Sequence, residues 1–193
     1  MTHSEVLNSL KEGNKRFTNN ELANIDTKQR REENKDGQSP KSAVLACMDS
    51  RVPVEKVFDL TIGDMFSFRT PGNVVSKDII GGMEYAAVVG GTILFVVMGH
   101  TACGAVNAAI KGTELGNLTP ALHKVNPAIS KSKSEFENFE NLEFVNSVIV
   151  NNAINSIEVI RKESEILRTM EEKGEIQFVP ALYNIESGEV SFV

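Results

Sequence analysis

Hydrophobic positions along the chain form short, nearly continuous runs that are separated by longer stretches of mixed character. The clearest run covers residues 92–98, where almost every side chain is apolar, and another covers 43–47. Continuous apolar runs of this length are typical of parallel strands that are covered on both faces. The same criteria, with turn residues at the ends, predict strands at 43–47, 65–69, 92–98, 177–185 and 190–193.

Between these runs, apolar residues recur at helical spacings, and the longest such pattern covers 142–172. Helices are also predicted at 4–17, after Pro53, and at 78–89, 105–111 and 118–129, whereas the polar stretch 130–141 is predicted to be a loop. Alternating strands and helices indicate an α/β fold with a mainly parallel central sheet flanked by helices. The turn at 186–189 predicts an antiparallel hairpin at the C-terminal edge of that sheet.

No linker or internal repeat divides the chain, so we predict one domain over residues 1–193. Turn-forming residues from Gln38 to Pro40 separate a helical N-terminal arm, 1–37, from an α/β core, 38–193. The polar stretch 19–39, which covers the end of this arm and the turn after it, is either a solvated helix or loop, or a helix that packs on a partner subunit.

Composition narrows the classes of partner. The net charge of −6 argues against nucleic acid or an anionic membrane as the main partner. No apolar run reaches the roughly 18 residues needed to span a bilayer, and the polar N-terminus lacks the apolar segment of a signal peptide. We therefore expect a cytoplasmic protein. In that reducing compartment, metal ligation or free thiols are favoured over a disulfide between Cys47 and Cys103.

Both cysteines follow the two best predicted strands. Cys47 ends the first, and His100 and Cys103 form a His-x-x-Cys motif on the loop predicted after the central strand. Because parallel strands end at the same edge of a sheet, the three side chains can converge on one metal, and sulfur with imidazole favours zinc. Three protein ligands leave a fourth position open, as in catalytic zinc sites. Taken alone, a cysteine at a strand end is more often a packing residue.

Two charged residues follow the first cysteine at alternate positions. Asp49 and Arg51 are close enough in sequence to form a charge-assisted pair, which would hold the carboxylate for a hydrogen bond to whatever occupies the open metal position. The alternative is a purely structural ion pair.

These motifs resemble a known family. Ala-Cys-Met-Asp-Ser-Arg at 46–51 and Gly-His-Thr-Ala-Cys-Gly at 99–104 are similar to the two signature motifs of the β-class carbonic anhydrases, and 12–17, 82–87 and 188–190 also resemble that family. The resemblance implies one Zn²⁺ per chain on Cys47, His100 and Cys103. It also implies a catalytic dyad of Asp49 and Arg51.

The resemblance further implies a substrate pocket with residues from both subunits of a homodimer, or of a dimer of dimers forming a homotetramer. The matching pocket residues are Gln38, Phe66, Tyr85 and Gly104. Some positions depart from the family. Val44 stands where many bicarbonate-regulated members have tryptophan, although Arg69 and Tyr183 resemble the other members of that regulatory site. Thr70 and Pro71 also differ from the usual residues after the second strand.

The implied activity is that of a lyase: reversible hydration of carbon dioxide to bicarbonate and a proton by a zinc-bound hydroxide. Asp49 would accept a hydrogen bond from the nucleophile, Arg51 would hold Asp49, and Gln38 would donate to the substrate. In a closed form known in part of the family, the aspartate ligates zinc instead; we expect the open form. The alternatives are a carbonyl sulfide or carbon disulfide hydrolase on the same scaffold, and a non-enzymatic zinc-binding or redox-sensing protein.

Overall fold

A five-stranded sheet forms the centre of the computed structural model, which describes residues 1–139 and 141–193. The strands are β1 (Ser42–Cys47), β2 (Met65–Thr70), β3 (Leu94–His100), β4 (Gln177–Tyr183) and β5 (Val190–Phe192), in the order β2-β1-β3-β4-β5. The first four strands are parallel, and β5 is antiparallel to β4. The predicted α/β fold with an antiparallel C-terminal edge is therefore confirmed.

The central strands are apolar throughout because helices cover both faces of the sheet. Every residue of β1 and β3 is buried. Alternate side chains enter opposite layers, so Leu45 and Phe95 pack in one hydrophobic cluster while Val44 and Val96 pack in another.

The helices between and around the strands largely match the predicted segments. They are α1 (His3–Thr18), α2 (Thr27–Glu33), α3 (Val54–Val57), α4 (Lys77–Val88), α5 (Gly104–Ile110), α6 (Thr119–His123), α7 (Asn126–Lys133), α8 (Leu142–Glu163) and α9 (Glu165–Glu172). Short 3-10 turns occupy Pro71–Asn73 and Gly116–Leu118. None of the helices in the described part of the chain has both the length and the apolar character needed to cross a membrane.

Three boundary predictions were wrong. The central strand starts at Leu94 and continues through His100, which pairs in register with Tyr183, so His100 lies on the strand and not on the following loop. The helix predicted at 142–172 is two helices, because Ser164 is extended and its side chain accepts a hydrogen bond from Leu167 N as the N-cap of α9.

The third wrong boundary concerns 118–141. The segment 118–129 is divided between α6 and α7, since Pro127 lies in the first turn of α7, where its missing N–H costs little. Helix α7 also extends to Lys133, into the stretch predicted as a loop. Residue 140 of that stretch lies outside the described residues.

The N-terminal arm packs on its own chain. In α1, Val6 and Leu10 are buried, and Asn14 donates to the carbonyls of Val57 and Gly188. Helix α2 has no buried residue and is attached through an ion pair between Arg30 and Asp64. Within a single chain α2 is therefore exposed, as both a solvated helix and a helix that packs on a partner subunit would be.

Candidate metal centre

The carboxyl edge of the sheet brings the two sequence motifs together. Strands β1 and β3 are parallel neighbours, so their last residues, Cys47 and His100, end at the same edge. Cys103 lies three residues further on, directly before α5. All three side chains are buried.

A sharp turn in the 101–103 loop directs Cys103 back toward the strand end. Ala102 has φ +54°, in the left-handed region that a residue with a Cβ rarely adopts. The loop is held by two hydrogen bonds of Thr101, whose N–H donates to the Tyr183 carbonyl and whose hydroxyl accepts from Ile185 N. Strained backbone of this kind, at a cost of roughly 1–3 kcal/mol, is concentrated at functional sites.

The spacing of the three ligand atoms fits a tetrahedral zinc ion. The two sulfurs and the imidazole nitrogen all lie within 4.8 Å of one another, and the two sulfurs are 3.9 Å apart. Two thiolates at the usual zinc–sulfur distance of about 2.3 Å would be separated by about 3.8 Å in a tetrahedral site. The cluster can therefore hold a metal ion.

The imidazole is oriented as a metal ligand would be. His100 Nδ1 lies 2.9 Å from the Thr101 carbonyl, a contact that places the proton on Nδ1 and leaves a lone pair on Nε2. That Nε2 is buried and has no hydrogen-bond partner among the described residues. An uncompensated buried nitrogen is unfavourable unless something at the cluster uses its lone pair.

The two thiols differ in acidity. The Cys103 thiol, hydrogen-bonded to Cys47, lowers the pKa of Cys47 against the opposing effect of burial. The same contact, with burial, raises the pKa of Cys103. The Gly72 N–H also donates to Cys47 Sγ, at 3.3 Å. The shared hydrogen bond stabilises one thiolate in the pair, and the thiolate is the form that binds metals.

Asp49 and Arg51 form a bidentate ion pair beside this cluster. Arg51 Nε lies 2.9 Å from Asp49 Oδ1, and a terminal guanidinium nitrogen lies 2.7 Å from Oδ2. The Arg51 backbone N–H also donates to Oδ1, and the guanidinium reaches the Ala102 carbonyl. These contacts hold the pKa of Asp49 well below its usual range. Oδ2 remains 3.9 Å from His100 Nε2, so the carboxylate is paired with Arg51 next to the ligand set.

The four expected pocket residues are divided between the two ends of the sheet. Gly104 directly follows Cys103. Phe66 pairs with Ala43, which is four residues, or about 13 Å, from Cys47 along β1. Tyr85 stacks edge-on against Phe66 with ring centroids 6.3 Å apart, and exposed Gln38 precedes β1. Within one chain, these last three residues are not brought to the cluster.

Other residues near the cluster were either not predicted as site residues or were compared only with the regulatory bicarbonate site of the family. Arg69 donates to the carbonyls of Cys47 and Asp49, which stabilises the turn after β1. Tyr183 is buried next to His100 in the sheet, and Val44 is fully buried. The Gly72 contact with Cys47 was not predicted, because nothing in the local sequence shows which atom the Gly72 amide faces.

Comparison with known proteins identifies the family. The family model described as carbonic anhydrase matches residues 42–190, which is most of the chain. The chain therefore belongs to the β-class carbonic anhydrase family, as its motifs indicated.

Individual relatives differ in how much they share with the chain. Carbonic anhydrase 2 of Mycobacterium tuberculosis is 46% identical over 82 residues, which cover 42% of this chain and only 40% of that protein. The crystal structure of the β-carbonic anhydrase CafA of Aspergillus fumigatus is 26% identical, covers 98% of this chain and 89% of that one, and has a TM-score of 0.77. One chain from the crystal structures of two tetrameric β-carbonic anhydrases of Sordaria macrospora shares the fold, with a TM-score of 0.74 at 21% identity and coverage of 86% of this chain and 90% of that one.

Proposed function

We propose that this chain is a zinc-dependent carbonic anhydrase that catalyses the reversible hydration of carbon dioxide to bicarbonate and a proton. The observation that carries this proposal is the buried cluster of Cys47, His100 and Cys103 with the Asp49–Arg51 pair beside it. Family membership supports the same reaction. A zinc-binding or redox-sensing protein would need the cluster but has no need of the oriented carboxylate.

The donor set suits one zinc ion per chain. Two sulfurs and one imidazole nitrogen are borderline-soft ligands, and three ligands leave a fourth tetrahedral position for a reactant. The chemistry that zinc supplies in such a site is a lowered pKa of water, which makes a nucleophile available near neutral pH. The thiolates and His100 would hold the ion.

The role of Asp49 follows from its fixed, ionised state. An ionised carboxylate can only accept hydrogen bonds, so Asp49 would accept one from the nucleophile and thereby direct a lone pair at the carbon of the substrate. Arg51 would keep Asp49 ionised and fix both of its oxygens. Arg51 also contacts the Ala102 carbonyl, so the pair is connected to the loop that carries His100 and Cys103.

The position of Gln38, Phe66 and Tyr85 supports a homodimer as the smallest active unit. In that arrangement, these residues would line the pocket over the metal of the second copy, and Gly104 would line it from the same chain as the metal. Strand β2 is an edge of the sheet, and the apolar residues Tyr85, Val88 and Val89 are exposed near it. The tetrameric relatives of Sordaria macrospora are consistent with a further pairing of dimers.

The proposal is tested by stopped-flow measurement of carbon dioxide hydration at about pH 8.5, where a hydroxide nucleophile is available. Protein containing one zinc per chain should accelerate hydration far above the buffer rate, and removal of zinc with a chelator should abolish that rate. A zinc-loaded protein with no rate above buffer would contradict the proposed activity.

A further inference from the structure

One face of α8 contacts both segments that carry the proposed zinc ligands. Ile149, Asn152 and Ser156 are spaced by three and four residues, so they lie on the same side of the helix. Ile149 packs so closely on Gly99 that a Cβ there would lie 2.5 Å from Ile149 Cγ2. Gly99 directly precedes His100, so this contact fixes how closely α8 approaches the end of β3.

The other two residues of that face hold the 72–73 turn beside Cys47. Asn152 Nδ2 donates to the Gly72 carbonyl at 2.7 Å, and the Ser156 hydroxyl donates to the Asn73 carbonyl at 3.2 Å. Gly72 and Asn73 both have positive φ, +61° and +47°, so the turn needs such anchoring. Within Gly72, the carbonyl is held by Asn152 while the N–H donates to Cys47 Sγ.

Packing alone does not explain an asparagine at position 152. The residue is fully buried, yet its Oδ1 has no hydrogen-bond partner among the described residues, and neither does Asn73 Nδ2. A buried polar atom without a partner is destabilising, and a leucine, which has the same side-chain branching and the same number of heavy atoms, would avoid that cost. The Nδ2 donation to Gly72 is the interaction that an apolar side chain would lose.

We propose that Asn152 is a positioning residue for the metal centre, acting through Gly72 on Cys47. By holding the Gly72 carbonyl, Asn152 fixes the Gly72 N–H so that it donates to the Cys47 thiolate. That hydrogen bond orients the sulfur and offsets part of its negative charge, as outer-shell partners of metal ligands do. The inference rests on the proposed zinc site and extends it to a residue 80 positions from Gly72.

The test compares Asn152→Leu with Asn151→Leu. Asn151 is the matched control because it is also buried on α8 and also donates hydrogen bonds, but to Ser132 and Ser147 and not to the 72–73 turn. Each protein is loaded with Co²⁺, whose absorption reports sulfur ligation. Metal affinity is then measured by competition with a chelator, and thermal unfolding of the metal-free proteins verifies the fold.

We expect Asn152→Leu to bind Co²⁺ about 10- to 100-fold more weakly than wild type, with a shifted sulfur-to-cobalt charge-transfer band. Asn151→Leu should match wild type in its Co²⁺ affinity and in the position of the charge-transfer band. Ser156→Ala is a smaller change that removes the other hydrogen bond to the 72–73 turn, so it should weaken Co²⁺ binding and shift the charge-transfer band in the same direction but by less. If Asn152→Leu does not fold, the Ser156→Ala result decides whether α8 positions the metal centre through this turn. Equal affinity and an unchanged band in the 152 and 156 variants would overturn the role of Asn152. Failure of wild type to bind one Co²⁺ per chain would instead overturn the zinc proposal itself.

Discussion

The two ends of the sheet differ in how much of a site one chain builds. At the carboxyl end, Cys47, His100 and Cys103 are buried and converge, and the Asp49–Arg51 pair is formed. At the amino end, Gln38 is exposed and Tyr85 is 53% exposed, and the described residues there include no group of side chains that could hold a metal. A single chain thus assembles a complete candidate metal centre, whereas three of the four expected pocket residues, Gln38, Phe66 and Tyr85, lie at the other end of the sheet.

The difference follows from what each end requires. Convergent thiol and imidazole groups need burial and a fixed geometry, which the strand ends and the turn at Ala102 provide. Exposed apolar side chains at the C-terminal end of α4, such as Val88 and Val89, are unfavourable in water and are typical of surfaces that another molecule covers. The amino end therefore has exposed apolar surface that the proposed homodimer would cover, whereas the carboxyl end is buried within one chain.

The largest effect is expected from removing one ligand at the carboxyl end. Cys103→Ser replaces a thiolate by a hydroxyl, which is a poor zinc ligand, so the protein should lose zinc and at least about 1,000-fold of its hydration rate. Zinc content by elemental analysis and stopped-flow rates measure both effects. Full zinc occupancy in this variant would show that Cys103 is not a ligand.

The next largest effect is expected from Asp49→Asn, which keeps the shape of the side chain but removes its charge. We expect one zinc per chain to remain, while the hydration rate falls about 100- to 1,000-fold because the nucleophile is no longer oriented. If the variant lost zinc instead, Asp49 would itself be a ligand, in contrast to its observed pairing with Arg51.

At the amino end, Gln38→Ala should have a moderate effect. Loss of one hydrogen bond to the substrate should lower kcat/KM about 10-fold without changing zinc content. Gln29→Ala, an exposed glutamine on α2, is the matched control and should leave the rate unchanged. Equal hydration rates in the Gln38→Ala and Gln29→Ala variants would show that Gln38 does not contact the substrate.

The smallest effect concerns the pH dependence of stability. Arg51 lowers the pKa of Asp49 in the folded protein. Their pairing therefore stabilises the fold fully above about pH 4, the ordinary pKa of aspartate in the unfolded chain. This stabilisation is lost as the pH falls from there through the lower pKa of Asp49 in the folded protein. Because the Arg51 side chain is 51% exposed and solvent screens the pair, we expect the free energy of unfolding of metal-free wild type to be only slightly above that of Asp49→Asn near pH 7. Urea unfolding should show this difference shrinking as pH falls below about 4; a difference that grows would contradict the pairing.

Much of the carboxyl end could be predicted from the sequence. Apolar runs located the strands, and parallel strand ends placed Cys47 near the His-x-x-Cys motif. The position of His100 on β3 was not predicted because the apolar run ends at residue 98; in the fold Gly99 is a strand residue against which Ile149 packs.

Other features depend on contacts between distant parts of the chain. The break at Ser164 interrupts a helical pattern that continues on both sides, and the Ser164 hydroxyl donates to Glu84, 80 residues away. The contact of Asn152 with Gly72 has no local pattern either. Motif resemblance, and not periodicity, was the source of Gln38, Phe66 and Tyr85 as pocket residues.

The most direct test of the division between the two ends is a hybrid dimer. Chains carrying Cys103→Ser and chains carrying Gln38→Ala are co-expressed with different tags, and dimers containing both are purified. If Gln38 acts on the metal of the partner, one of the two sites is intact, and the hybrid should have about half the wild-type hydration rate. If Gln38 acts within its own chain, neither site is intact, and a rate near one-twentieth of wild type, about 10-fold lower than the first outcome, would contradict the account.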